Sequence, residues 1–304
     1  TGLTLIELLV SLGISSFLVV GAVQIYGQSR QAFLVNESIA QVQETAQFAL
    51  DTIESDLRMA SFWGRTGRAL AIAGRSISND MNPAGLPEPS QCGAGWALNI
   101  ALPVDGENNR YTLPCPPVPG AQMNSDVLTV RRASASSVTV DSARLQIQTT
   151  RINGEIFSSS SPPATFSVAI EPETGLPASA THNLVVSSYY VATDSHLNPG
   201  VPTLRRKRLG SRRGAPWIVD EEVIPGVENL QIRLGIDIDA DNAVDRYVDP
   251  GRGSFNPIDE ANYIPGAKVL TARIWLLVRS VSPEHGIIHA DNSVSYTHLR
   301  AHET

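Results

Sequence analysis

An apolar run that carries a single carboxylate opens the chain and limits what the chain can become. Residues 2–10 have the sequence GLTLIELLV, and Glu7 is the only charged residue between Leu3 and Tyr26. About two dozen such residues suffice for a helix to cross a bilayer. A carboxylate in this setting is costly in lipid and is normally kept for a function. The pattern therefore predicts a membrane-spanning helix in which Glu7 has a specific partner, with an ordinary signal anchor as the alternative.

The helical pattern continues beyond Tyr26 and becomes amphipathic. Apolar residues recur there at spacings of three and four, which places them on one stripe of a helix. The stripe comprises Ile39, Val42, Ala46, Ala49, Leu50, Ile53 and Leu57. Because the first proline is Pro83, no residue forces a break. We predict one helix over residues 3–61, with residues 3–26 spanning a membrane.

Short β patterns dominate the second half of the chain, whereas residues 64–125 are rich in Gly, Pro, Asn and Ser. That stretch predicts a long irregular connection across the surface of the head. The predicted strands are Asp126–Arg132, Leu145–Ile152, Leu184–Ala192, Leu230–Ile236 and Val269–Val278. Together these patterns predict an α+β fold in which the N-terminal helix packs on a largely antiparallel sheet, with a head at residues 62–293.

Charge and cysteine content narrow the function. The chain of 304 residues has a net charge of −7, which argues against nucleic-acid binding through bulk electrostatics. Cys92 and Cys115 are its two cysteines. Because they lie in the part of the chain that follows the predicted membrane anchor, they predict an oxidising compartment and one disulfide. A metal or redox site is the alternative, but no nearby histidine completes one.

An acidic segment, DIDADNAVD at residues 237–245, is the sharpest candidate for a metal site. Its aspartates match positions one, three, five and nine of an EF-hand-like calcium loop. These residues are Asp237, Asp239, Asp241 and Asp245. Val248 stands where the bidentate acid is expected, and Asp249 or Glu260 could replace it. A solvated acidic turn is the alternative, and calcium is the one cofactor that the sequence suggests.

A basic cluster at residues 205–213 contains six cations in nine positions. It could contact DNA or an acidic partner, or it could be a solvated hairpin that balances an acidic molecule. No aromatic residues interleave with the cations to stack on bases. Catalytic motifs are absent from the sequence, and His182, His196, His285 and His289 are isolated. We therefore expect neither an enzyme nor a nucleic-acid binder.

The N-terminal sequence resembles the class III signal of type IV pilins. The resemblance implies that a prepilin peptidase cleaves after Gly2 and that Leu3, which replaces the usual Phe, becomes the methylated N-terminal residue. It also implies that residues 3–26 enter the fibre core after assembly and that Glu7 docks there against the amine of a neighbouring helix. Such a buried ion pair fixes the register of the two helices more reliably than it adds net stability.

Further segments resemble the PilW type of minor pilin, in scattered blocks up to about Ser282. They are DLRMASFWG at 56–64, CGAGWAL at 92–98, DVLTVRR at 126–132, GVENLQI at 226–232 and RIWLLVRS at 273–280, besides a similar acidic loop. A Cys often follows the first block in that family, whereas this chain has Arg65. The resemblance implies a structural protein that helps initiate or cap a pilus.

The implied partners are other minor and major pilins, the prepilin peptidase, the membrane and the inner-membrane assembly platform. The implied location is the inner membrane with a periplasmic head, and then the fibre or its tip. A type II secretion pseudopilin and a calcium-dependent adhesin are the alternatives. At the ends we expect residues 1–2 to be a leader remnant and residues 294–304 to be a non-native tail that resembles adapter read-through.

Overall fold

A computed structural model describes residues 4–76, 86–87, 92, 95–163, 175, 178–251, 268–281 and 295–299. One long helix, α1 (Leu5–Arg58), precedes a β-rich part that we call the head. The predicted α+β class, with an N-terminal helix packed on a largely antiparallel sheet, is confirmed.

Helix α1 has 54 residues and is roughly 80 Å long at 1.5 Å per residue. Among the described residues it is the one helix long and apolar enough to cross a membrane, by length and composition, and its most apolar stretch is unburied. The stripe predicted on its second half packs against the head from Val42 onward. Ile39, predicted in the same stripe, is 51% exposed because the described head does not cover it.

The described strands follow in chain order. They are β1 (Ile72–Ala73), β2 (Val104–Glu107), β3 (Val127–Ala133), β4 (Gln146–Thr149), β5 (Gly154–Phe157), β6 (Ala180–Ala192), β7 (Thr203–Arg212), β8 (Ala215–Pro225), β9 (Val227–Asp237), β10 (Arg246–Val248), β11 (Lys268–Val278) and β12 (Ser295–Leu299).

Two sheets organise these strands. The larger has the order β1-β5-β4-β6-β3-β2, with β7 paired to β6 and to β8. The smaller has the order β10-β9-β11-β12, so the apolar run in β11 is an inner strand. All pairs are antiparallel except β1 with β5.

The main hydrophobic core lies between α1 and the two sheets. Small residues of the helix, Ala46 and Ala49, are fully buried there and allow close approach to the strands. Side chains alternate along β6, so that Tyr189 joins this core while Val186 belongs to a second core on the opposite face. The larger sheet is therefore covered on both faces.

The cover on the second face is the segment 95–119, which we call the covering loop and which is irregular on either side of the short strand β2. Trp96, Leu98 and Ile100 are essentially inaccessible in it. The prediction that this stretch crosses the surface of the head was wrong for its centre, because its apolar residues pack under the sheet instead. Such a burial has no periodic signal, since Trp96, Leu98 and Ile100 lie in turns and not in a helix or a strand.

Candidate functional site

The N-terminal end of α1 carries the first predicted site. Thr4 is its N-cap, and Thr4 and Glu7 form a capping box. The Glu7 carboxylate accepts hydrogen bonds from the Thr4 backbone N–H at 2.9 Å and from its hydroxyl at 2.8 Å. Glu7 is exposed on an apolar surface, with its carboxylate partnered inside its own chain. Gly2 and Leu3, predicted for cleavage and methylation, lie outside the described residues.

The other end of α1 is fixed to the head through Asp56, a residue whose role sequence reasoning missed. The Asp56 carboxylate accepts from Arg132 Nη2 at 2.8 Å and from the Tyr189 hydroxyl at 2.7 Å. Burial raises the pKa of Asp56, but hydrogen bonds from Tyr189, Arg132 and Ser187 outweigh it and hold the pKa below its usual value. The spacing could have indicated this role, because Asp56 follows Ile53 by three residues and therefore lies on the same face of the helix as the apolar stripe.

The basic cluster lies on β7, where its inward-facing cations are buried. Arg205 and Lys207 are each 3% exposed. Asp220 of β8 accepts from Arg205 Nε at 2.9 Å and from Lys207 Nζ at 2.6 Å, and the Tyr190 hydroxyl donates to it at 2.7 Å. Lys207 also donates to the Pro116 carbonyl of the covering loop at 2.9 Å. Both earlier interpretations were wrong for these two cations, which are neither solvated nor available to DNA.

The outward-facing cations of β7 are partnered as well. Arg206 and Arg208 both contact Glu221, which faces Arg206 across the strand pair. Arg212 lies over the ring of Trp217, 5.0 Å from its centroid. Within the cluster, Arg212 at the end of β7 and Arg213 in the turn are the exposed cations, so the hairpin interpretation holds there.

The covering loop is held by a disulfide and by a buried cation. Cys92 and Cys115 are bonded to each other, as predicted. Arg131 of β3 is fully buried and donates to the carbonyls of Trp96 at 2.9 Å and Leu102 at 2.7 Å. Burial lowers the pKa of Arg131 to about 10, so the guanidinium stays charged at neutral pH. Backbone carbonyls thus solvate a charge that water cannot reach.

The acidic loop after β9 brings three of the four predicted carboxylates together. One oxygen each of Asp237, Asp239 and Asp245 lies within 4.8 Å of the others, whereas Asp241 is outside this group. Asp237 is fully buried and accepts from the backbone N–H groups of Ala240 at 2.7 Å and Asn242 at 3.0 Å. The geometry is compatible with a divalent cation held by oxygen ligands, and calcium remains a prediction.

Asn242 has a φ of +65° in this loop, at the position where an EF-hand uses glycine. Val248, at the twelfth position, lies in β10 and pairs with Leu234 of β9. It is thus part of the sheet, and Glu260, considered as its substitute, lies outside the described residues.

Comparison with known proteins adds one finding. Residues 188–302 match the family model described as "Type IV Pilus-assembly protein W" (PilW). The matched range begins in β6, covers the charged hairpin and the acidic loop, and includes most of the tail that was expected to be non-native. No curated protein and no solved structure matches the chain. Taken with the exposed apolar helix that precedes a β-rich head, this match over part of the chain supports a PilW-type type IV pilus protein.

Proposed function

We propose that this chain is a minor pilin that helps initiate or cap pilus assembly within a tip or priming complex. The division of α1 carries the proposal. One uninterrupted helix has an apolar first half that is exposed along its length, and a second half whose inner face is buried against the head. An apolar helix surface of this kind needs lipid before assembly or neighbouring helices after it.

The proposed roles follow the order of the residues. Gly2 marks the cleavage site of the prepilin peptidase, Leu3 is the methylated residue, and Glu7 contacts the new amine of a neighbouring pilin. The capping box supports a role for Glu7 as a movable partner, since an exposed carboxylate bound to its own Thr4 can exchange that contact for a charged one. The partners are other minor and major pilins and the inner-membrane assembly platform, reached from a membrane-anchored state with a periplasmic head.

The test compares sheared surface filaments from cells with this chain, without it, and with Glu7→Val. We expect loss of the chain to deplete fibres, and the Glu7→Val protein to be processed but not incorporated. Glu37→Gln, which changes an exposed carboxylate on the same helix, is the matched control and should incorporate normally. Unchanged fibres together with failed protein secretion would support a type II secretion pseudopilin instead.

A calcium-dependent adhesin is the second candidate, and the converging carboxylates of the acidic loop favour it. In that case the head itself binds a surface. Calcium removal would then abolish adhesion by intact, normally assembled fibres. If adhesion is the same with and without calcium, this candidate is eliminated.

A further inference from the structure

A cavity of about 350 Å³ opens on the face of the larger sheet that points away from α1. Leu128 and Val130 of β3 belong to the core under α1, so Val127 and Thr129 between them point the opposite way and line the cavity. The covering loop forms another part of the wall. The volume is within the range of small-molecule sites in proteins.

Two carboxylates on the same face of β2 line this cavity. Asp105 and Glu107 face Thr129 and Val127 across the strand pair. Because they are two residues apart on one strand, their Cα atoms are about 7 Å apart. Their side chains are 26% and 17% exposed, so both are accessible without being free in solvent.

Each of these carboxylates lies close to a guanidinium. Glu107 accepts from Arg110 Nε at 3.1 Å and lies 3.0 Å from Arg110 Nη2. Asp105 is 3.9 Å from Nη1 of the buried Arg131. Two negative and two positive charges therefore cancel around the cavity. A ligand with a net charge would meet a group of like charge and gain no unmatched counter-charge, which argues against a simple anion or cation.

The remaining chemistry suits a neutral polyhydroxylated ligand. A carboxylate offers about four acceptor sites, so Asp105 and Glu107 can accept from ligand hydroxyls beyond their present contacts. Arg110 and the exposed Thr112 at the rim can donate. Leu113 and Val127 add apolar wall, against which the C–H face of a sugar ring can pack.

We propose that this cavity binds a neutral saccharide unit, with Asp105 and Glu107 as hydroxyl acceptors and Arg110 and Thr112 at its rim. The proposed site does not depend on the pilus role, because it uses only the head.

The test is saturation-transfer NMR on the full chain in detergent micelles, with D-glucose, D-galactose and N-acetyl-D-glucosamine as separate millimolar probes. We expect transfer to at least one of these sugars. Glu107→Gln should weaken its binding about tenfold, which corresponds to the loss of one hydrogen bond to a charged acceptor. Thr112→Trp should abolish binding, because the exposed Thr112 can be enlarged to fill the cavity without disturbing the core.

Glu54→Gln is the matched control, since Glu54 also pairs with a nearby arginine but lies on α1. It should bind the sugar as the wild type does. Near-ultraviolet circular dichroism verifies that each variant is folded. The proposal is overturned by the absence of transfer to all three sugars in the folded wild type, by binding that survives Thr112→Trp, or by tighter binding of the anionic sugar N-acetylneuraminate.

Discussion

Asp56 is the one buried charged residue among those that attach α1 to the head. Replacing it with Asn leaves Arg132, whose side chain is 19% exposed, without its counter-charge. We expect Asp56→Asn to lower the free energy of unfolding by about 3 kcal/mol, as for other buried pairs that lose one partner. Urea unfolding of the full chain in micelles measures this. Glu54→Gln, which disrupts only an exposed pair, should cost about 0.5 kcal/mol or less, and equal losses in the two variants would contradict the proposed role.

The same residue predicts a pH dependence. Because the folded state holds the pKa of Asp56 below its usual value, the ionised carboxylate stabilises the fold above about pH 4. That stabilisation is lost as the pH falls below 4 and through the folded pKa. The difference in unfolding free energy between wild type and Asp56→Asn should therefore shrink under acid conditions. A difference that is constant from pH 7 to pH 3 would show that the charge of Asp56 is not what stabilises the junction.

Single residues show where sequence reasoning stops. The apolar stripe on α1 could be predicted because its period is local. The partners of Asp56 and Arg131 could not, since Tyr189 and the Trp96 carbonyl reach them from distant parts of the chain. For Arg205 and Lys207 the charge run suggested a solvated patch, whereas Asp220 on the next strand neutralises them. A buried charge is visible only when the strand pairing is known.

At the scale of elements, the geometry of the acidic loop predicts that its aspartates differ in their effect on calcium binding, although the sequence pattern does not distinguish them. We expect about 10 mM calcium to stabilise the wild type by about 2 kcal/mol, as for a weak extracellular-type site. Asp239→Asn and Asp245→Asn should lose this effect, whereas Asp241→Asn should retain it because Asp241 lies outside the converging group. Thermal unfolding with and without calcium measures the difference. Equal behaviour of all variants, or no effect of calcium on the wild type, would rule the site out.

We expect the disulfide of the covering loop to raise the free energy of unfolding. The bond closes a segment of 23 positions, and replacing both cysteines with alanine should cost about 3 kcal/mol through the unfolded state. Unfolding of the wild type in a reducing agent should show the same loss, while the double variant should be indifferent to the agent. If the reducing agent destabilises both proteins alike, its effect does not arise from this bond.

At the scale of the whole molecule, α1 joins two parts with separate demands. Gln31→Pro places a helix breaker in the exposed part of α1, well before the first buried residue, Ala46. We expect a local cost of about 3 kcal/mol in the helix, with the head unchanged, because no head contact is removed. Near-ultraviolet circular dichroism should match the wild type, while filament incorporation should fail. A variant that incorporates normally would show that the straightness of α1 is not required.

The whole fold was more predictable than its internal arrangement. A 54-residue helix and the alternating strands follow from local periodicity, and the α+β class follows from their order. The β7–β8 hairpin was harder to predict as sheet, since charged side chains occupy both of its faces. The position of the covering loop depends on Arg131 and on the disulfide. Both join residues that are far apart in the sequence, so no local pattern predicts them.

The buried residues of α1 lie in a row along its last third, from Ala46 to Asp56. A pull on the N-terminal end acts along the helix axis and therefore parallel to this row. Under such a load the packed alanines, Ile53 and the Asp56 ion pair are sheared at the same time. All of these contacts must therefore break together before α1 can slide along the head. A load perpendicular to the helix would instead peel the contacts apart one after another. The head is thus attached most firmly against a pull along the axis of α1.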